Sequence, residues 1–203
     1  MQLLGRSLSP FVRRVATTLN LYDMRFESLP LQHTGDDAPV LRQSNPVGRV
    51  PALVLDDGEV IVDSAVILDY LDREAGAQRT LTPFSGPERT RVMSLTSIAT
   101  GAVDKTIATV YEVRFRPQEA RHQPWVDRCT EQALSGFTYL NSQLKDDWFV
   151  GGRMTQADVS TAVVWQFTGM AAPKLQKSIS APALDALVER MMAIPAFSST
   201  VPG

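Results

Sequence analysis

Apolar positions recur along this chain at two different periods, and the change from one regime to the other divides it. Met1-Gln2-Leu3-Leu4 reads as a short strand, and Phe11, Val15 and Leu19, with Val12 and Ala16 beside them, recur at helical spacing from Pro10 to about Leu21. Arg25-Phe26-Glu27-Ser28-Leu29 alternates in twos, which predicts a second strand and so a β-α-β unit. A polar loop through Thr34-Gly35-Asp36-Asp37 leads to a short helical piece near Val40 to Gln43. Val50 to Leu55 and Val60 to Val62 flank Asp56-Asp57-Gly58, a hairpin signal with glycine where a positive φ is wanted. Asp63-Ser64 then caps a helix through Val66, Leu68, Tyr70 and Leu71 that stops near Gly76. The predicted order is β-α-β-α-β-β-α.

Beyond Thr82-Pro83-Phe84-Ser85-Gly86-Pro87 the period is helical to the end. Helices are predicted from Glu88 to about Phe115, Trp125 to about Leu144, Thr155 to about Met170 and Leu184 to Met192, punctuated by Pro117, Pro124, Pro173 and Pro195. The pattern gives a first domain at residues 1–78, a linker at 79–87 and an all-helical domain at 88–203. Thr155-Gln156-Ala157-Asp158 ahead of an apolar run is a capping box, in which threonine and aspartate satisfy the orphan N–H groups of a helix start. Its role is structural. No internal repeat or low-complexity tract interrupts either region.

Composition narrows the function mainly by exclusion. The 203 residues leave room for two small cores, and 20 Lys and Arg against 22 Asp and Glu give a net charge of −2, with no basic footprint for nucleic acid. No window approaches the apolar length of a membrane span, and the start lacks the basic and apolar regions of a secretory signal, so a cytoplasmic location is expected. A single cysteine, Cys129, permits no internal disulfide, and its place in a helical stretch predicts a buried, inert thiol. His33 and His122 stand far apart, and no metal site built on histidine or cysteine is expected.

Three short motifs in the first domain carry candidate chemistry. Ser9-Pro10-Phe11 places a hydroxyl between a strand and a helix start, where unpaired N–H groups and a partial positive charge favour an anion such as a thiolate. Val50-Pro51 stands at the entrance to a strand. A cis bond is expected there from context against a general frequency of about 5–6% for X-Pro bonds, and would present the Val50 N–H and C=O to an extended peptide. Asp63-Ser64 offers a carboxylate for an ammonium, with a hydroxyl and free N–H groups for a carboxylate, the two charges of an α-amino acid head group. Taken singly, each has a plain structural reading: a cap, a turn proline, and an N-cap worth roughly 1 kcal/mol.

In combination and order, these segments resemble the glutathione S-transferases. Ser9-Pro10-Phe11-Val12-Arg13-Arg14-Val15 is similar to the serine-type members. Asn45-Pro46-Val47-Gly48-Arg49-Val50-Pro51 resembles the family's Asn-Pro-x-Gly-x-Val-Pro segment, and Asp63-Ser64 stands in the place of its Glu/Asp-Ser pair. Gly151-Gly152 ahead of Thr155 and Asp158 resembles the capping motif of its helical domain. The resemblance covers essentially the full length. It implies an α+β thioredoxin-like domain followed by an α domain, glutathione as co-substrate with no metal, and a homodimer.

By that resemblance Ser9 hydrogen-bonds the glutathione sulfur beside Phe11, Val50 before Pro51 pairs with the cysteinyl backbone, and Asp63 with Ser64 holds the γ-glutamyl end. Arg49 and His33 are the candidate cations for the glycyl carboxylate, and Asp104, Ile107, Tyr111, Arg114 and Phe115 on the long helix are the candidate electrophile pocket. The leading expectation is a transferase acting on small electrophiles, in detoxification. A non-catalytic glutathione-binding or regulatory protein, and a glutathione-dependent isomerase, peroxidase or dehalogenase, stay open as alternatives.

Overall fold

The computed structural model describes residues 1–202. Gln2–Leu4 (β1), Glu27–Leu29 (β2), Ala52–Val54 (β3) and Val60–Val62 (β4) form one sheet in the order β2-β1-β3-β4. β1 runs parallel to β2, with Leu3 opposite Ser28, and antiparallel to β3, with Leu3 opposite Leu53. A parallel pair needs a crossover, and the helix Pro10–Leu21 (α1) provides it. β3 and β4 close as a hairpin at Asp57-Gly58, where Gly58 has a φ of 91° and Glu59 N donates to Asp57 Oδ1 at 3.0 Å. Ala38–Ser44 (α2) and Ser64–Ala75 (α3) complete the predicted order, and Gly76, with φ 79°, ends α3.

The chain divides into two compact units, Met1–Phe84 together with the closing segment from Met192, and Ser85–Met191. The sequence reading places everything from residue 88 in the helical domain; the structure groups the closing segment with the first unit instead. The reason lies in α1, where Arg13 and Arg14 are buried to 1% and 2% exposure. The Arg13 guanidinium lies 4.5 Å above the ring of Phe197, in Pro195–Ser198 (α9, the last of the helices), and its Nε donates to Thr200 Oγ1 at 3.2 Å. Thr17 and Thr200 share a hydrogen bond of 3.0 Å beside it. These contacts offset part of the cost of stripping the guanidinium of water, its Nη1 and Nη2 being buried without hydrogen-bond partners.

Part of the expected linker is also fastened down. Tyr22 donates its hydroxyl to Asp72, and Leu81 N donates both to Tyr22 Oη at 2.7 Å and to Asp72 Oδ1 at 3.1 Å. Burial, helped by the Asp72 hydrogen bond and charge, pushes the Tyr22 hydroxyl well above its ordinary value. Tyr22→Phe leaves the buried Asp72 short of a donor, and a loss of about 1–3 kcal/mol is expected on thermal unfolding at neutral pH. Because folding favours the protonated phenol, that contribution holds below about pH 10 and fades above it, so the gap between variant and parent should narrow in alkali.

In the second unit Gly86–Phe115 (α4) packs against Gln123–Gln143 (α5) and Gln156–Ala171 (α6), followed by Pro173–Gln176 (α7) and Pro182–Met192 (α8). α5 crosses α4 at Gly136, where an added Cβ would stand 2.9 Å from that of Ala102. Phe137 packs on Trp165 with ring centres 5.0 Å apart, and Trp165 Nε1 donates to Asp185 at 2.8 Å. The capping box forms as expected: Asp158 accepts from Thr155 N at 2.8 Å, from Thr155 Oγ1 at 2.7 Å and from Phe149 N at 2.9 Å. Cys129 is a free thiol, buried. Among the described residues no helix is long and apolar enough to cross a membrane.

Candidate functional site

Ser9 is the residue before α1, with the extended backbone angles φ −71° and ψ 124°. Its backbone is committed on both sides: Ser9 N donates to Arg6 O and Arg13 N donates to Ser9 O, each at 2.9 Å. Its side chain does not cap the helix, so the hydroxyl remains available, on a half-buried residue. Pro10 at the first helical position has no N–H to leave unpaired, and the open donors of this helix start are those of Phe11 and Val12. A hydroxyl, two N–H groups and the positive end of a twelve-residue helix converge on one small region.

The Val50-Pro51 bond is cis, as the sequence reading expects. The loop before it is built on the buried Asn45, whose Nδ2 donates to Arg49 O at 2.8 Å while its Oδ1 accepts from Val47 N at 3.1 Å. Among the described residues neither backbone group of Val50 has a hydrogen-bond partner. Gly5 brings the Ser9 loop alongside. With a φ of 126° it sits where an added Cβ would be 2.8 Å from Val50 Cβ and 2.5 Å from Val12 Cγ2. The two segments meet only because residue 5 has no side chain.

Asp63 caps α3: its φ of 69° lies in the left-handed region, and its Oδ1 accepts from Ala65 N at 2.8 Å. This leaves Oδ2 on an exposed residue, next to the buried Ser64. α1 packs against α3, and the buried Arg14 of α1 feels the charge of Asp63. Burial lowers its guanidinium to about 10, while the Asp63 charge acts the other way, so Arg14 is still a cation at neutral pH. His33 and Arg49 are exposed, and Arg49 is tied to the loop through its carbonyl.

The electrophile-pocket candidates all lie on α4 of the second unit. Tyr111 and Phe115, 40% and 54% exposed, meet edge to face at 5.0 Å, and the Arg114 guanidinium lies 5.6 Å from the Phe115 ring centre. Asp104 is exposed and Ile107 half-buried nearer the middle of the helix. A separate open groove of about 750 Å³ runs along α5 past Asp127, Leu134, Thr138 and Tyr139, and none of the candidate residues lines it. Among the described residues no group of three or more His, Cys, Asp or Glu is placed to hold a metal ion.

Sequence reasoning missed Gly5, Asn45 and Arg14 as parts of this arrangement. The signal for Arg14 was present: two adjacent arginines interrupt a helix with apolar residues on both flanks.

Residues 3–79 match the glutathione S-transferase N-terminal domain, and residues 103–195 match the C-terminal domain of the same family. The GST-like protein YibF of Escherichia coli (strain K12) is 27% identical over 100% of this chain and 98% of its own. A glutathione transferase family member from Pseudomonas fluorescens Pf-5, solved with bound glutathione, superposes with a TM-score of 0.87 at 28% identity, over 100% of this chain and 98% of its own. In fold, a glutathione S-transferase from Methylobacillus flagellatus KT matches with a TM-score of 0.92 at 24% identity, over 100% and 99% of the two chains. With both domain matches falling on the thioredoxin-like and helical regions described above, the chain belongs to the glutathione S-transferase family.

Proposed function

We propose that this protein is a serine-type glutathione transferase, in which Ser9 holds the glutathione sulfur as a thiolate for attack on small electrophiles. The observation that carries this reading is the Ser9 hydroxyl, left out of the helix cap at the positive end of α1. A free cysteine thiol titrates near 8.5, so only a few per cent is thiolate at neutral pH, and each unit of lowering needs about 1.4 kcal/mol of preferential thiolate stabilisation. A hydroxyl donor and a helix start together supply an effect of that size. Ser9 forms no covalent bond, and the substrate's own sulfur is the nucleophile.

The rest of the peptide follows the other two motifs. Val50 offers its unpaired N–H and C=O to the cysteinyl residue in the manner of an added strand. Asp63 takes the γ-glutamyl ammonium on its remaining oxygen, and Ser64 takes the carboxylate. Arg49 and His33 are the cations for the glycyl end, and the Tyr111 and Phe115 pair with Arg114 is the apolar surface for the electrophile. Relatives solved with bound glutathione support the choice of peptide.

Binding to immobilised glutathione, followed by a turnover screen with aryl halides, peroxides and disulfides, tests the reading. Binding with conjugation of an aryl halide is expected; binding without turnover on any of these would leave only a glutathione-binding protein. Asp63→Ala should raise the KM for glutathione roughly tenfold, the scale of one charge-assisted hydrogen bond. Asp63→Asn, which keeps an oxygen for Ala65 N, should raise it nearly as far, and an unchanged constant in both would remove Asp63 from the site.

A further inference from the structure

The Thr200 hydroxyl has no bonding capacity left. It donates to Phe197 O at 2.7 Å and accepts from Arg13 Nε at 3.2 Å. With its one proton committed to Phe197, it is also the acceptor in the 3.0 Å bond with Thr17 Oγ1, which fills its second lone pair. Asn20 Nδ2 donates to Ala196 O and to Ser199 Oγ, each at 3.3 Å. Arg13, Thr17 and Asn20 follow one another at helical spacing along one face of α1, and Ser9 stands four positions before Arg13 in the same row.

The adjoining face of α1 is aliphatic, with Val12, Val15 and Leu19 buried. Such packing is non-directional and holds a helix in place without fixing its rotation or its height along the axis. Hydrogen bonds to fixed partners set both. Stability alone would favour an apolar side chain at position 13, because Nη1 and Nη2 are closed off without partners, and the bond to Thr200 is the one hydrogen bond of this side chain among the described residues. Arg13 also closes the first turn of the helix. Its N donates to Ser9 O at 2.9 Å, so the residue that engages Thr200 belongs to the turn that carries the Ser9 hydroxyl.

We propose that Thr200 and Arg13 are positioning residues for Ser9: the closing segment, fastened to α1 through the Thr200 hydroxyl, sets the rotation and height of that helix and with them the aim of the Ser9 hydroxyl. The inference rests on the reading of Ser9 as the group that holds the glutathione sulfur. Without the Thr200 oxygen the buried guanidinium has no hydrogen bond at all and has to reach for water, and the turn it shares with Ser9 moves with it. Thr200 acts in this arrangement only through Arg13 and the helix.

The test compares the full chain with Thr200→Val, Thr200→Ser and Arg13→Met, by ultraviolet titration of the bound glutathione thiolate and by steady-state kinetics well below every variant's Tm. In Thr200→Val the apparent thiol pKa should rise by about half a unit or more towards the free value near 8.5, and kcat should fall about fivefold with the KM for glutathione changed less than about twofold. Thr200→Ser keeps the oxygen and should return both to the parent values. Arg13→Met removes the buried charge, so its Tm should stay close to the parent's or exceed it while kcat still falls about fivefold. A merely structural role ties turnover to stability and predicts no such loss, and this variant decides the matter if Thr200→Val does not fold. In the peptide-free protein, amide hydrogen exchange over residues 11–16 should speed up about tenfold in Thr200→Val relative to α6. Parent values of the thiol pKa and kcat in both Thr200→Val and Arg13→Met, or unchanged exchange, overturn the proposal. A parent that binds no glutathione sinks the reading of Ser9 and this proposal with it, whereas parent binding with unmoved values sinks this proposal alone.

Discussion

Ser9→Ala is expected to lower turnover by roughly tenfold to a hundredfold while changing the affinity for glutathione by less than about twofold. A hydrogen bond to an ionised acceptor contributes about 1.5–3 kcal/mol, and each 1.4 kcal/mol or so is a factor of ten in rate. On the proposed reading the loss falls on turnover, because the hydroxyl would discriminate between thiol and thiolate while Val50, Asp63 and Ser64 would hold the rest of the peptide. A shift in pH dependence accompanies it. With one source of thiolate stabilisation removed, the apparent pKa on the acidic limb of kcat/KM should rise by about one to two units towards the free value near 8.5, so the variant recovers in mild alkali. Steady-state kinetics across pH 6 to 9 measure both effects, and equal rates for variant and parent would remove Ser9 from the chemistry.

Asp158→Ala should be the most damaging single change to stability. It removes the acceptor of Thr155 N, Thr155 Oγ1 and Phe149 N, in a fully buried setting at the start of α6. Orphaning several buried donors is expected to lose about 3 kcal/mol or more, which in a chain of this size lowers Tm by roughly 6–12 °C. Burial raises the Asp158 carboxyl above its usual range, against the pull of the hydrogen bonds from Thr155 and Phe149. A raised native pKa means that its contribution is fullest below the unfolded value and declines as pH rises through the native one. Mild acid therefore does not loosen α6 through this residue. Calorimetry of the two proteins settles the magnitude, and a shift under about 2 °C would show that the box does not hold this helix start.

Elements punctuated by a residue with one conformational purpose were legible in the sequence. Gly58 marked the hairpin, Gly76 the end of α3, and Thr155 with Asp158 the start of α6, because each answers a local backbone demand. Strand ends were less so. Alternation from Arg25 predicts a strand two residues before β2 begins at Glu27, since pairing with β1 and not pattern decides where a strand starts. α7 and α9, four residues each, are too short to show a helical period. In the candidate site, Ser9, Val50, Asp63 and Ser64 could be proposed from sequence because their motifs are contiguous. Gly5 could not, since it matters through a residue forty-five positions away.

The return of the closing segment to the first unit makes that unit discontinuous in sequence. A chimera that grafts residues 1–84 of this chain onto a relative's helices would carry Arg13 but leave behind Phe197 and Thr200, the groups that receive its charge. Successful recombination between family members has to transplant both extremities as a matched set, and a crossover at the interdomain junction alone strands a guanidinium in a foreign interior.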